Sequence, residues 1–164
     1  MIRPLQFIPL LTVLSCSRGE DRPVPPSVPS VSASQPPLDS LLGALARLKG
    51  SFPAQGPPAI GDFSGDRSVL SAIADKGDSA VGRLVRCMSR TEPTGVTKGR
   101  RALTLGELCY AALVNTAYYE ATDAQGDVTA DWPGHIDLPA TRVQLEAAQQ
   151  AWGSVVARRA YHLL

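Results

Sequence analysis

The sequence predicts an all-α domain of about five helices, and three observations lead to this fold class. Apolar side chains recur at helical spacing, most clearly at Val81, Leu84, Val85 and Met88. Two pairs of polar residues have the spacing of capping boxes, which mark helix N-termini. Extended strands are otherwise scarce, because only the window 96–103 surrounds a Lys-Gly turn and allows a small β-hairpin.

The first helix is expected to begin at Asp39 or Ser40, whose side chains accept hydrogen bonds from the free amides of a first turn. Gly50 ends it. Its apolar face consists of leucines, namely Leu41, Leu42, Leu45 and Leu48. The segment 51–65 is rich in Gly and Pro, which predicts a loop.

The second and third helices are separated by a break at Lys76 and Gly77. Asp66 or Ser68 opens the second helix, and Asp78 caps the third. The apolar residues of the second helix are Val69, Leu70 and Ile73. The third helix carries the stripe of four apolar side chains that gives the strongest helical signal in the chain.

Each of the last two helices begins at a capping box. Thr104 with Glu107 opens the fourth helix, which is expected to run to about Tyr119. Thr141 with Gln144 opens the fifth, which continues almost to residue 164. Apolar residues at helical spacing follow both boxes, including Leu105, Leu108, Cys109, Ala112 and Leu113 in the fourth helix and Leu145, Ala148, Trp152, Val155 and Val156 in the fifth.

The first sixteen residues have the pattern of an export signal that ends at a cysteine. Arg3 supplies a positive charge, residues 5–14 are mostly apolar, and the small Ser15 directly precedes Cys16. This pattern resembles the lipobox of bacterial lipoproteins. The resemblance implies that residues 1–15 are a signal peptide, that Cys16 carries the lipid, and that the chain is anchored in the periplasm. Because Ser17 rather than Asp follows Cys16, it resembles lipoproteins sorted to the outer membrane.

Two other interpretations of this start stay open: an ordinary secretory signal, and a cytoplasmic protein with an apolar N-terminus. The apolar run of about ten residues is shorter than the roughly 20 residues that span a bilayer. Residues 16–37 are rich in Pro and Ser, which predicts a disordered, lipid-anchored linker. Residues 38–164 then form one helical domain of ordinary size.

Part of the domain is similar to a HEAT-like repeat. Residues 77–88 join an Ala-Val pair to a Leu-Val pair as the first helix of such a repeat does, and residues 105–113 match its partner helix. No second copy follows, and a solenoid needs about three repeats. The resemblance therefore implies helical hairpins packed in the HEAT manner within a compact domain, and a protein-binding scaffold rather than an enzyme.

Cys87 and Cys109 are the cysteines that remain once Cys16 is assigned to lipid. An even pair in an oxidising periplasm is commonly a disulfide, although two buried thiols would also fit the helical faces. A catalytic thiol is disfavoured because no ordered set of Cys, His and Asn accompanies either residue. Asp78 and Ser79 resemble a hydrolase motif, but helix capping explains Asp78.

Four acidic residues recur between residues 120 and 131: Glu120, Asp123, Asp127 and Asp131. Oxygen ligands at such spacing suit a hard cation, but the positions of glycine and glutamate do not fit an EF-hand. A loose cation site and a solvated acidic turn both stay open, and no cofactor is expected. Zinc bound by the two histidines and the cysteines is disfavoured because their spacing is long and irregular.

Tyr119, Trp132 and His135 flank this loop and are the candidate partner-binding residues. In the simpler alternative, Trp132 only covers the core. The net charge of +1 and the scattered basic residues give no indication of nucleic-acid binding. We therefore expect a non-catalytic helical module that binds an unknown envelope protein. The alternative is a module that binds cell-wall glycan, or an envelope enzyme, with loop 120–135 as its site.

Overall fold

Helices and strands alternate along the chain in the computed structural model, which describes residues 36–122, 125–126 and 128–164. The described helices are α1 (Leu38–Leu45), α2 (Ser68–Ala74), α3 (Asp78–Cys87), α4 (Leu105–Val114) and α5 (Arg142–Arg158), with a 3₁₀ turn at Ile60–Asp62. The described strands are β1 (Lys49–Phe52), β2 (Ser64–Gly65), β3 (Pro93–Lys98), β4 (Arg101–Thr104), β5 (Ala117–Thr122), β6 (Val128–Asp131) and β7 (His162–Leu163).

The first sheet has the strand order β2-β1-β3-β4. Strands β1 and β3 are parallel, and α2 and α3 lie in the connection between them, whereas the other two pairs are antiparallel. Gly50 and Gly65 pair across β1 and β2, where a Cβ on Gly50 would lie 2.3 Å from the carbonyl oxygen of Ser64. Only glycine permits this close approach of the two backbones.

The second sheet has the order β6-β5-β7, with β5 antiparallel to both neighbours. Tyr119 in β5 lies opposite Asp131 in β6, and Tyr118 lies opposite His162 in β7. Residues 117–119 were predicted to continue the fourth helix. Strand β5 follows α4 directly and pairs with β6. Asp131, at the end of β6, therefore lies near the C-terminal end of α4.

The predicted all-α class is wrong, because the domain is a mixed α/β fold. The predicted HEAT-like arrangement is also wrong. Helix α3 does pack against α4, but the β3-β4 hairpin joins the two helices, and α3 also packs against α5. The first helix ends at Leu45 rather than near Gly50, because residues 49–52 pair with β3 instead. Strand pairing of this kind is non-local and leaves little trace in a short window of sequence.

Two predicted helix starts are confirmed in detail. The caps predicted for the first and third helices are wrong, because the N-cap residues of α1 and α3 are Pro37 and Gly77 and neither Asp39, Ser40 nor Asp78 caps its helix. By contrast, Thr104 with Glu107 and Thr141 with Gln144 form complete capping boxes at the starts of α4 and α5. The window 96–103 forms the antiparallel β3-β4 hairpin that the sequence allowed. The apolar stripe of α3 is buried in a core that surrounds the large side chains Phe63, Tyr110 and Trp152. These features depend on contacts within a few residues, which is why the sequence predicts them.

Candidate functional site

An apolar cleft of about 470 Å³ opens at the C-terminal end of α4. Its walls are the loop 56–59, the last turns of α4, the loop 132–138 and Leu164. The apolar side chains that line it include Pro57, Pro58, Val114, Trp132, Ile136 and Leu138. Its volume lies in the range of small-ligand pockets, which are mostly apolar with a few polar groups.

Two hydrogen bonds fix the loop 132–138 against α4. The indole Nε1 of Trp132 donates to the carbonyl oxygen of Val114 at 3.2 Å. The backbone amide of Ile136 donates to the hydroxyl oxygen of Tyr110 at 3.1 Å, and both groups are buried. The ring of Trp132 is therefore held at the cleft, which reduces the entropy that a bound partner would have to overcome.

Asn115 joins the opposite wall to α4. Its Nδ2 donates to the carbonyl oxygens of Pro58 and Ala111, each at 2.7 Å. Its Oδ1 accepts a hydrogen bond from the backbone amide of Ile60 at 3.1 Å. One side chain at the end of α4 therefore makes three hydrogen bonds, and two of them hold a loop more than 50 residues away in sequence.

Glu107 holds the far end of the segment that contains loop 132–138. Its side chain is only 2 % exposed, and its Oε1 accepts from the backbone amide of Ala140 at 2.7 Å. Its Oε2 accepts from the amide and the hydroxyl of Thr104, at 2.8 and 3.0 Å, and Arg101 approaches Oε1 at 3.4 Å. A buried carboxylate needs such partners because its desolvation is costly.

The rim of the cleft, as far as the chain is described, carries one acidic side chain, that of Asp137. Asp137 has a side chain that is 98 % exposed, and its Oδ1 lies 3.9 Å from Nε2 of His135. Burial raises the pKa of Tyr110; the hydrogen bond from Ile136 opposes this shift, and the charges of Asp137 and Asp131 add to it. Among the described residues that line the cleft there is no Lys or Arg.

Trp132 and His135 meet in this cleft, as two of the three candidate partner-binding residues. Tyr119 is not in its lining, but its hydroxyl donates to Oδ2 of Asp131 at 2.9 Å, directly before Trp132. This hydrogen bond is the main cause that raises the pKa of Tyr119. The backbone amide of Trp132 donates to Oδ1 of the same carboxylate at 2.7 Å. Asp131 thus orients the start of loop 132–138.

The candidate cation loop is only partly described. Asp123 and Asp127 lie outside the described residues, as does Cys16. Of the other two, Asp131 accepts the hydrogen bonds just given, and Oε2 of Glu120 lies 3.8 Å from Nε2 of His162. Within the described ranges, no three His, Cys, Asp or Glu side chains form a group that could hold a metal ion.

Cys87 and Cys109 are joined by a disulfide, with their Cα atoms 5.8 Å apart. The bond links the end of α3 to the middle of α4, where Cys109 is buried and Cys87 is half-buried. Cys87 also borders a second groove, between α1 and α3. Leu105, at the N-terminal end of α4, lines the same groove. The two cysteines are therefore placed to stabilise the packing of these helices.

Several residues of the cleft had no functional signal in the sequence. Asn115 lies inside the predicted fourth helix, and Pro57 and Pro58 lie in a segment predicted only as loop. Glu107 was recognised as part of a capping box, but its bond to Ala140 joins residues 33 positions apart. Hydrogen bonds between residues so far apart in the sequence can be recognised only in the three-dimensional structure.

The chain matches no protein-family model, no curated protein and no solved structure. None of the helices in the described part of the chain is long and apolar enough to cross a membrane. Function has therefore to be inferred from the chemistry of the residues themselves.

Proposed function

We propose that this domain is a non-catalytic protein-interaction module, held in the cell envelope by lipid on Cys16, which receives an apolar segment of a partner protein in the cleft. The observation that carries the proposal is a cleft of about 470 Å³ with apolar walls that hydrogen bonds fix in place. A preorganised apolar cleft with a polar rim is typical of a binding site.

The chemistry of the cleft favours binding over catalysis. Its described lining contains no Ser, Thr, Cys or Lys that could act as a nucleophile. The hydroxyl of Tyr110 and the amide of Asn115 are engaged in the hydrogen bonds that hold the walls. His135 and Asp137 are exposed at the rim, outside the water-excluded setting in which acid-base groups gain most.

Two observations support the location. The residues up to Cys16 resemble a lipobox, and the pairing of Cys87 with Cys109 fits an oxidising compartment such as the periplasm. The Pro-rich residues 16–37 would then separate the lipid from the domain as a tether. The mass of the mature protein tests this part: a diacylated Cys16 at the N-terminus is expected, and an intact Met1 would contradict it.

In-cell photo-crosslinking tests the cleft. A photoreactive amino acid in place of Asp137, at the rim, is expected to give one reproducible adduct with an envelope protein. The matched control is Val143, which is 74 % exposed at the start of α5 and does not line the cleft. Trp132→Ala should remove the adduct at position 137. Equal adducts from both positions, or an adduct that survives Trp132→Ala, would contradict the proposal.

A glycan-binding module is the second candidate, and the half-buried ring of Trp132 in the lining of the cleft favours it, since aromatic rings also bind sugars. This function predicts that the protein sediments with purified cell-wall glycan and that Trp132→Ala abolishes sedimentation. The protein-interaction proposal predicts no sedimentation with glycan. The same substitution thus separates the two functions when its effect is measured on both ligands.

A further inference from the structure

Helix α3 has two faces of opposite chemistry. Its inner face is buried, whereas Arg83 and Arg86 lie three residues apart on its exposed face, and the exposed Arg90 follows its C-terminal end. Side chains three residues apart lie on the same side of a helix. Arg86 and Arg90 lie near the C-terminal end of α3, where the helix dipole favours positive charge, whereas Arg83 lies in the middle of the helix.

These arginines border a groove of about 440 Å³ between α1 and α3. Apolar groups from three elements form its floor, namely Leu42, Ala46, Leu105 and the half-buried Cys87. The groove therefore combines a cationic rim with an apolar base. A purely solvated charged face would have no such base.

The arginines of the groove are available to a ligand. Arg83 forms an ion pair with Asp39, and Nη2 of Arg90 lies 2.7 Å from Oε1 of Glu92, but all four side chains are about half or more exposed. Exposed ion pairs of this kind contribute little and exchange readily with other partners. Within the described residues, the guanidinium of Arg86 has no acidic partner.

We propose that this groove binds the phosphate headgroups of an anionic membrane surface. A guanidinium donates two parallel hydrogen bonds to a phosphate, and the apolar base suits the glycerol and the first carbons of the acyl chains. The whole chain carries a net charge of only +1, so attraction to a membrane has to come from a local cluster such as this one.

The position of the groove favours a membrane over a soluble phosphopeptide. Asp39, in the first turn of α1, is the partner of Arg83, so the groove lies at the N-terminal end of α1, the helix that follows residues 16–37 in the sequence. If lipid on Cys16 holds those residues, the groove is kept near the headgroups at a high effective concentration. This step depends on the proposed anchor, whereas binding by the groove itself does not.

Vesicle sedimentation of the full chain with Cys16→Ser tests the groove without any attached lipid. We expect binding to vesicles with about a third phosphatidylglycerol and little binding to pure phosphatidylcholine. Arg86→Gln should weaken binding about fivefold, which corresponds to the roughly 1 kcal/mol of a basic residue near an anionic surface. Replacement of all three arginines by glutamine should reduce binding about 100-fold.

Arg158→Gln is the matched control, because it removes the same charge from an exposed position at the end of α5. It should change vesicle binding less than twofold. An equal loss in Arg86→Gln and Arg158→Gln would overturn the proposal, as would equal binding to the two kinds of vesicle. Tight binding of a soluble phosphopeptide, with none to vesicles, would overturn it in favour of a protein ligand. None of these results depends on whether Cys16 is acylated in the cell.

Discussion

The two ends of α4 differ in chemistry although the helix has only ten residues. At its C-terminal end, Val114 and Asn115 line an apolar cleft whose rim carries Asp137. At its N-terminal end, Leu105 borders a groove that carries three arginines. A helix of this length separates the two sites by about 15 Å. A nearly neutral chain can therefore present two surfaces of different charge, provided that α4 stays fixed.

Glu107→Ala should disturb the molecule most, because it removes the carboxylate that links α4 to Thr104 and Ala140. The buried amide of Ala140 and the part-buried amide of Thr104 would lose their acceptor, which predicts a loss of about 3 kcal/mol in the free energy of unfolding. Urea denaturation measures this value. Glu146→Ala, which removes an exposed carboxylate paired with Arg142, should cost less than about 0.5 kcal/mol. Similar losses in the two variants would contradict the role of Glu107.

Removal of the disulfide with Cys87→Ala and Cys109→Ala should come next. The bond closes a loop of 22 residues, for which the chain-entropy account predicts about 3 kcal/mol of stability. Loss of the disulfide should destabilise the groove, which Cys87 borders, more than the cleft. Hydrogen exchange in α3 and in the loop 132–138 would compare the two regions, and faster exchange only in the loop would contradict the account.

Asn115→Ala should act on the cleft alone. The loss of three hydrogen bonds to the loop and to α4 predicts about 2 kcal/mol, with faster exchange of the Ile60 amide. Asn115→Asp keeps an oxygen that can accept from the Ile60 amide and loses only the two hydrogen bonds donated by Nδ2. The Ile60 amide should therefore exchange more slowly in Asn115→Asp than in Asn115→Ala. Unchanged vesicle binding in both variants would show that the groove is independent of the cleft, whereas a matching loss would argue against two separate sites.

Tyr110 predicts a smaller effect that depends on pH. Burial raises its pKa above its ordinary value in the folded protein. The neutral hydroxyl therefore contributes stability that is present below about pH 10, the ordinary value, and is lost as pH rises through the raised pKa. Tyr110→Phe removes the hydroxyl that accepts the hydrogen bond from Ile136, so it should lower the free energy of unfolding by about 1 kcal/mol at pH 7. It should also reduce the further loss of stability at alkaline pH. Denaturation at pH 7 and at pH 11 measures both; an unchanged alkaline loss would contradict the assignment.

The parts of the fold that the sequence predicted are those that neighbouring residues decide. Thr104 and Glu107 lie within one turn, so their capping box and the start of α4 are readable from the chain. The strand at residues 117–119 was predicted as helix because its partners lie at residues 131 and 162–163. The sequence predicts a role for Trp132 and His135, but none of its motifs indicates that Asn115 and Pro58 form the other wall of their cleft.

The most direct test of the cleft compares adduct yields in cells for a photoreactive residue at position 137. We predict that Trp132→Ala removes the adduct and that Arg86→Gln leaves it unchanged, because Trp132 lines the cleft and Arg86 lines the groove. Loss of the adduct in both variants would contradict two separate sites. An adduct that persists in both would show that the partner does not occupy the cleft.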